Sequence, residues 1–344
     1  MRKKHLFMIF GVMLIFVTGE LFAQRGRAQG ETLEVKLGNP LPKSSPWGRT
    51  LDRIASEWGQ ITNGQVRLNV RHDGIEGNEA RMHQSLASNT IQAAIFTPFG
   101  LSQIDSSLMT LSVPFLIRNE RELDVVMREL QGDLESRINR GNYFMLAWSK
   151  SGFVNFFSRD AVFTPNDLRR QRVASNPEST DINTTFKAMG FQIFEADWSQ
   201  VGNRLNAGTV SAIYNQPAAV AALQLHTMVK NMLTINIAPV VGGIVINQVT
   251  WRRIGELNPR YQQELLNATR RIGSEFDASI PGTVTSAIQT MSRAGLTVNR
   301  ATPAQEQLWF NEIDQAMPSL LGTTYDRDLY SRINTILARH RAGQ

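Results

Sequence analysis

The 344-residue chain contains no cysteine, which excludes disulfide staples, zinc–thiolate centres, a lipid-modified N-terminus and a cysteine nucleophile. Its formal charge is +6, of which the five Lys or Arg and one Glu within residues 1–28 supply +4. The remainder is close to neutral, and no basic cluster points to nucleic acid.

Arg2, Lys3 and Lys4 precede an apolar run over residues 6–17, and Ala23 and Ala28 each offer a cleavage end. A bilayer span takes about 20 apolar residues, so this run reads as a signal peptide, cleaved after Ala23 or Ala28. An exported protein of this length holds together by its core alone.

LEVKLGNP alternates as a strand, and SSPWGRTLDRIASEWGQITNG follows as an amphipathic helix with Trp47, Leu51, Ile54 and Trp58 on one face and Gly64 beyond its end. QVRLNVRHDG alternates as a second strand, and β, α, β with polar turns argues for a parallel sheet. EGNEARMHQSLASNT is expected to be a short helix, IQAAIFTPF a buried strand, LMTLSVPFLI an apolar segment broken by Pro114, and NERELDVVMRELQGDLESRINRGN a helix. Further on, AAVAALQLHTMVKNML reads as helical and TINIAPVVGGIVINQVTW as a pair of short strands around Gly242-Gly243. PRYQQELLNATRRIGSEFDAS and VTSAIQTMSRAG read as helices, as do two more segments up to the C-terminus. No internal repeat is present.

Residues 148–176 organise the rest. Gly152 to Phe157 reads as a strand, Thr164-Pro165-Asn166-Asp167 as a capped turn opening a short helix, and Arg172 to Ser175 as another strand. Strand ends joined in this way present side chains to one cleft.

Catalytic and metal signatures are missing: no GxSxG, P-loop or GxGxxG occurs, and no histidine has metal-ligand spacing. His72-Asp73 reads as a solvated turn. Trp47, after Ser44-Ser45-Pro46, is a candidate hydrophobic staple or a cleft residue. The glycine-bearing turn Gly74 to Asn78 opens a helix, but Glu76 and Glu79 beside it disfavour phosphate.

The segments WGRTLDRIASEWGQITNGQVRLNVRHDGIEGN, SVPFLIRNERELD, SGFVNFFSRDAVFTPNDL and LNAGTVSAIYNQP, in this order, resemble the DctP-like substrate-binding proteins of tripartite ATP-independent periplasmic (TRAP) transporters. The resemblance implies an α/β, two-lobed periplasmic-binding-protein fold with crossing strands and a long inter-lobe helix, no enzymatic activity and no cofactor. It implies lobe I from residues 29–151 plus about 240–279, lobe II from about 152–239 plus about 280–307, and C-terminal helices over 308–344. It implies periplasmic localisation and delivery of a small-molecule ligand to a permease of a small and a large membrane subunit. An exported tetratricopeptide-repeat protein serves some such systems as intermediary.

Candidate ligand-binding residues are Asn39, Trp47, Glu76, Thr97, Phe99, Phe153, Val154, Asn155, Arg172, Ala174, Asn176, Trp198, Tyr214 and Asn215, of which the resemblance puts Phe153, Val154, Ala174, Trp198 and Tyr214 at matching places in the cleft. Where family members carry Gly-Phe-Arg-Asn, this chain has Gly152-Phe153-Val154-Asn155, and Ala174 stands at the second arginine position. Arg172 as a shifted equivalent stays open. A carboxylate left without its bidentate guanidinium loses about 3–5 kcal/mol, so the expected ligand is hydrophobic or uncharged. The alternative is an exported interaction or scaffold protein that keeps the fold with a degenerate cleft.

Overall fold

The computed structural model describes residues 32–343. The signal-peptide expectation, on residues 1–28, lies outside them.

The chain opens with β1 (Leu33–Gly38), α1 (Pro46–Ile61), β2 (Val66–Arg71), α2 (Glu79–Ala87), β3 (Ala93–Phe96) and the short α3 (Pro98–Ser102). Helix α1 starts where its sequence says it should. Ser45 Oγ accepts from Gly48 N at 2.9 Å, Pro46 takes the first position, and Trp47, Leu51, Ile54 and Trp58 are buried. Its end is set by Asn63 and Gly64, both at positive φ. Strands β1 and β2 pair in parallel, as do β1 and β3.

After a 3₁₀ turn at Ser106–Ser112, where an apolar segment was expected, α4 (Glu120–Arg140) leads into β4 (Tyr143–Ser158). The run from Gly152 to Phe157 is thus the second half of one 16-residue strand. Next come α5 (Pro165–Arg169), β5 (Arg172–Ser175), α6 (Thr180–Ala188), β6 (Gln192–Glu195), α7 (Trp198–Asn206), β7 (Ala212–Asn215) and α8 (Pro217–Ala222). The turn at Thr164 forms a full capping box with Asp167, as its residues foretell. The helix expected over AAVAALQLHTMVKNML is only α8. Gln224, at φ 54°, breaks it, and the chain continues through a 3₁₀ turn into β8 (Asn231–Leu233).

The pair of short strands expected around Gly242-Gly243 is one strand, β9 (Ala238–Asn247), running through both glycines. It passes so close to its neighbours that a Cβ on Gly242 would lie 2.2 Å from the Phe96 carbonyl oxygen, and one on Gly243 2.8 Å from that of Ala147. Glycine here permits a strand between two backbones instead of breaking it. After α9 (Gln248–Leu257), two expected helices merge into the 35-residue α10 (Pro259–Arg293), with Pro281 inside it. Proline in a helix interior costs about 3 kcal/mol. Burial of Tyr261, Leu265, Ile272, Phe276, Ile280 and Met291 along α10 offsets that cost. Strand β10 (Thr297–Asn299) and helices α11 (Pro303–Leu320) and α12 (Arg327–Ala342) complete the chain.

The sheet order is β2-β1-β3-β9-β4-β7-β5-β6, with β8 on β4 and β10 on β8. Parallel strands β1–β3 lie on one side and β5–β7 on the other, while the antiparallel pair β4 and β9 runs through the middle. Helix α10 packs on α1, on β4 and on α8, and so touches both sides. The expected two lobes, crossing strands and long joining helix are all present.

Candidate functional site

In open α/β sheets ligands bind outside the carboxyl ends of the parallel strands. Here those ends are Asn39 after β1, His72 after β2, Thr97 after β3, Asn176 after β5, Trp198 beyond β6 and Asn215 at the end of β7. Hydrogen bonds tie the two sides to each other and to the central strand β4. Asn78 Nδ2, at the cap of α2, donates to the Glu178 carboxylate beyond β5. Gln216 Nε2, at the cap of α8, donates to the carbonyl of Ser151 on β4. Trp47 Nε1 donates to Ser151 Oγ at 3.3 Å.

On the side of β1–β3, the polar groups are held in a fixed network. Asn39 is fully buried; its Nδ2 donates to the Leu41 carbonyl and contacts His72 Nδ1 at 3.0 Å, and its Oδ1 accepts from Leu41 N. His72 Nε2 lies 2.8 Å from Asp52 Oδ1. His72 is therefore a buried, doubly engaged ring, not the solvated turn expected for it. Its position after a strand end is what encloses it. Glu79 is buried at the start of α2 and accepts from Thr97 N at 3.0 Å, Thr97 Oγ1 at 2.8 Å and Gly100 N at 2.7 Å. Burial pushes its carboxyl above the ordinary value; the Thr97 and Gly100 hydrogen bonds oppose that rise, and the charge of Glu178 adds to it.

On the side of β5–β7, the buried network is neutral. Ser175 Oγ lies 2.7 Å from Tyr214 Oη and donates to Asn183 Oδ1, while Asn183 Nδ2 donates to the Asn176 carbonyl at 2.9 Å. Burial pushes the Tyr214 hydroxyl above its ordinary pKa, so this ring stays protonated.

The sequence-derived residues fall into separate groups. Thr97 is tied to Glu79, Glu76 pairs with Arg71 at 3.2 Å, and Phe99 is half-buried against the largest core cluster. Trp47 is no staple: its ring packs on Phe276 with centroids 4.1 Å apart. Phe153 and Asn155 line a cavity of about 510 Å3 at the lobe junction, with Asn119, Arg121, Asn236 and Val284. Asn155 Nδ2 is already used, donating to the Ile235 carbonyl at 2.9 Å. Val154 is half-buried against the core, and Ala174 is fully buried in a cluster with Phe157, Val201, Leu205 and Ile213. Trp198 is partly buried against that same cluster. Arg172 is exposed, and its Nη2 donates to the Gly208 carbonyl at 2.9 Å. Asn176 Oδ1 accepts from Glu178 N, and Asn215 Oδ1 from Gln216 N.

Sequence reasoning missed Asn78, Ser151, Glu178 and Gln216 as residues that meet across the strand ends, and Glu79 as a buried acid. The signal for Asn78 was its helix-cap position. Ser151 and Gln216 carried none, because each earns its role from a partner far along the chain.

Two α/β lobes face each other across strand ends and are tied by side-chain hydrogen bonds, an arrangement that suits a binding protein. Residues 37–321 match the model of the bacterial extracellular solute-binding protein family 7, DctP, and the chain belongs to that family. A solute-binding protein of Chromohalobacter salexigens is 23% identical over 294 residues, covering 81% of this chain and 84% of its own. A TRAP periplasmic solute-binding protein of Ralstonia eutropha, solved with bound (S)-2-acetolactate, superposes with a TM-score of 0.79 at 21% identity, over 89% of this chain and 99% of that one. Another, from Desulfovibrio salexigens with bound orotic acid, gives 0.77 at 18% identity, over 90% and 99%. The family is one of extracellular solute-binding proteins, and the solved relatives share its fold. Among the described residues no helix is long and apolar enough to cross a membrane.

Proposed function

We propose that this protein captures a neutral, largely apolar solute and delivers it to its permease. The observation that carries this reading is that neither position where the family pattern has an arginine offers a guanidinium to a solute: Val154 is half-buried against the core, Ala174 is closed inside it, and Arg172 turns outward onto Gly208. On the side of β1–β3 the buried charged group beside the strand ends is an acid, Glu79, and on the side of β5–β7 the Ser175–Tyr214–Asn183 network is neutral. A carboxylate entering such a place would lose its counter-charge, at about 3–5 kcal/mol, or about 200-fold to several thousand-fold in affinity. Acetolactate and orotate, bound by the solved relatives, are both carboxylates and weigh on the other side.

Titration calorimetry separates the two. Malate, orotate and acetolactate are expected to give no heat up to millimolar concentration, while mass spectrometry of protein from its native host finds an uncharged compound. Micromolar binding of malate or orotate that disappears in Arg172→Ala would overturn the reading. An apolar solute would also suit hand-over by an exported tetratricopeptide-repeat protein. No complex at micromolar concentration in a co-purification would count against that partner.

A further inference from the structure

Two of the elements that join the lobes, β4 and α10, carry an irregularity at the same level. In β4 the pairing with β9 shifts between Lys150 and Phe153, and Gly152 there has φ 90°. A Cβ on Gly152 would lie 3.2 Å from Ile280 of α10. In α10, Pro281 follows Ile280 and leaves the carbonyl of Asp277 without its helical donor. One polar contact ties the two places together: the Asp277 carboxylate accepts from Lys150 N at 3.0 Å. This contact is not embedded in solid core. Asp277, Lys150, Asp124, Glu120 and Pro281 border a cavity of about 250 Å3, which shares Glu120, Gly152 and Phe153 with the larger one.

We propose that Asp277 is a positioning residue for solute capture: by holding the β4 backbone at Lys150 to α10, it makes the two inter-lobe connections bend as one and so narrows the range of lobe separations. The inference holds whichever solute is bound.

The groups facing Asp277 are few. Lys150 Nζ pairs with Asp124 Oδ1 at 2.6 Å, leaving Asp277 with the Lys150 backbone N–H, the nearby Ser149 hydroxyl and the acid Glu120 on the shared cavity wall. Burial, partly opposed by the Lys150 N–H and charge, pushes the Asp277 carboxyl up to about 6. A carboxylate accepts a hydrogen bond about twice as strongly as a neutral group, so the tie weakens on acidification and in Asp277→Asn, and disappears in Asp277→Ala.

Because the chain has no cysteine, Arg67→Cys on β2 and Asn206→Cys at the end of α7 place one spin-label pair across the lobes. Double electron–electron resonance on the unliganded full chain then reads the width of the distance distribution. The expected order is wild type at pH 7.5 narrowest, wild type at pH 5 and Asp277→Asn intermediate and alike, and Asp277→Ala broadest, by about twofold. A merely structural role would lower thermal stability in Asp277→Ala and leave the width unchanged, which would overturn the proposal. Should Asp277→Ala not fold, equal widths of the wild type at pH 7.5 and pH 5 would overturn it instead.

Discussion

Among the described residues two carboxylates, Glu79 and Glu122, are buried, and their surroundings are opposites. Glu79, beside the inter-lobe space, accepts only from neutral donors, Thr97 and Gly100. Glu122, at the start of α4, is gripped by Arg341 of α12, whose Nε and Nη2 donate to its two oxygens at 2.8 Å each, and by Arg118 N at 2.8 Å. Burial pushes both carboxyls up, but at Glu122 the Arg341 and Arg118 hydrogen bonds and charges outweigh it and hold the group below its ordinary value. At Glu79 burial wins. The chain therefore builds a bidentate guanidinium–carboxylate clamp where it fastens its last helix, and none is seen among the inter-lobe contacts. A bidentate arginine thus holds the last helix in place, whereas the buried acid beside the strand ends is held by neutral donors alone.

The sharpest way to break that comparison is to put the arginine back. Ala174→Arg is expected to destabilise the protein by about 3–5 kcal/mol, since a guanidinium has no counter-charge inside the cluster of Phe157, Val201, Leu205 and Ile213. Urea unfolding followed by circular dichroism measures it. A stable Ala174→Arg that gains micromolar affinity for malate would mean that this position opens onto the solute.

The clamp on α12 should matter less. Arg341→Ala is expected to cost about 2 kcal/mol, because Glu122 keeps its Arg118 N–H while losing a charge-assisted pair on a partly exposed partner. Its pH signature follows from the sign of the shift. Glu122 has a folded pKa below its unfolded value, so its stabilisation is present above pH 4.5 and is lost as pH falls through the folded value. The gap between wild type and Arg341→Ala should accordingly shrink on acidification below pH 4.5. Constancy of that gap down to pH 3 would show that the clamp does not carry the shift.

Much of the fold could be read locally. The spacing of Trp47, Leu51, Ile54 and Trp58 and the cap at Ser45 fix α1, and Thr164 with Asp167 fixes α5. These features lie within one turn of their causes. Gly242-Gly243 and Pro281 misled for the same physical reason: each looks like a breaker by itself, and each is tolerated because of packing against parts of the chain distant in sequence. The site was legible only as an ordered set of motifs. Counting along β5 tells that Arg172 and Ala174 share a face, but not that Arg172 lies at the strand's start, where it reaches solvent, while Ala174 lies under α7 residues Val201 and Leu205. Glu79 was visible as an acid in a turn, whereas its burial depends on Thr97 and Gly100 arriving from the next strand and helix.

The smallest effect belongs to Glu79 itself, and its direction is the test. In Glu79→Gln one oxygen can still accept from Thr97 N, but the amide nitrogen replaces the oxygen that accepts from Gly100 N. One lost acceptor costs about 1 kcal/mol, offset in part because a buried charge is removed with it. Glu79 has a folded pKa above its unfolded one, so its protonation favours the fold at low pH, and that contribution is lost as pH rises through the folded value. The wild type should therefore exceed Glu79→Gln most near pH 4.5 and least at pH 8, the reverse of the Arg341→Ala trend. Parallel urea titrations of the two variants from pH 3 to pH 8 would expose a shared trend, and a shared trend would mean that the two carboxylates sit in equivalent environments after all.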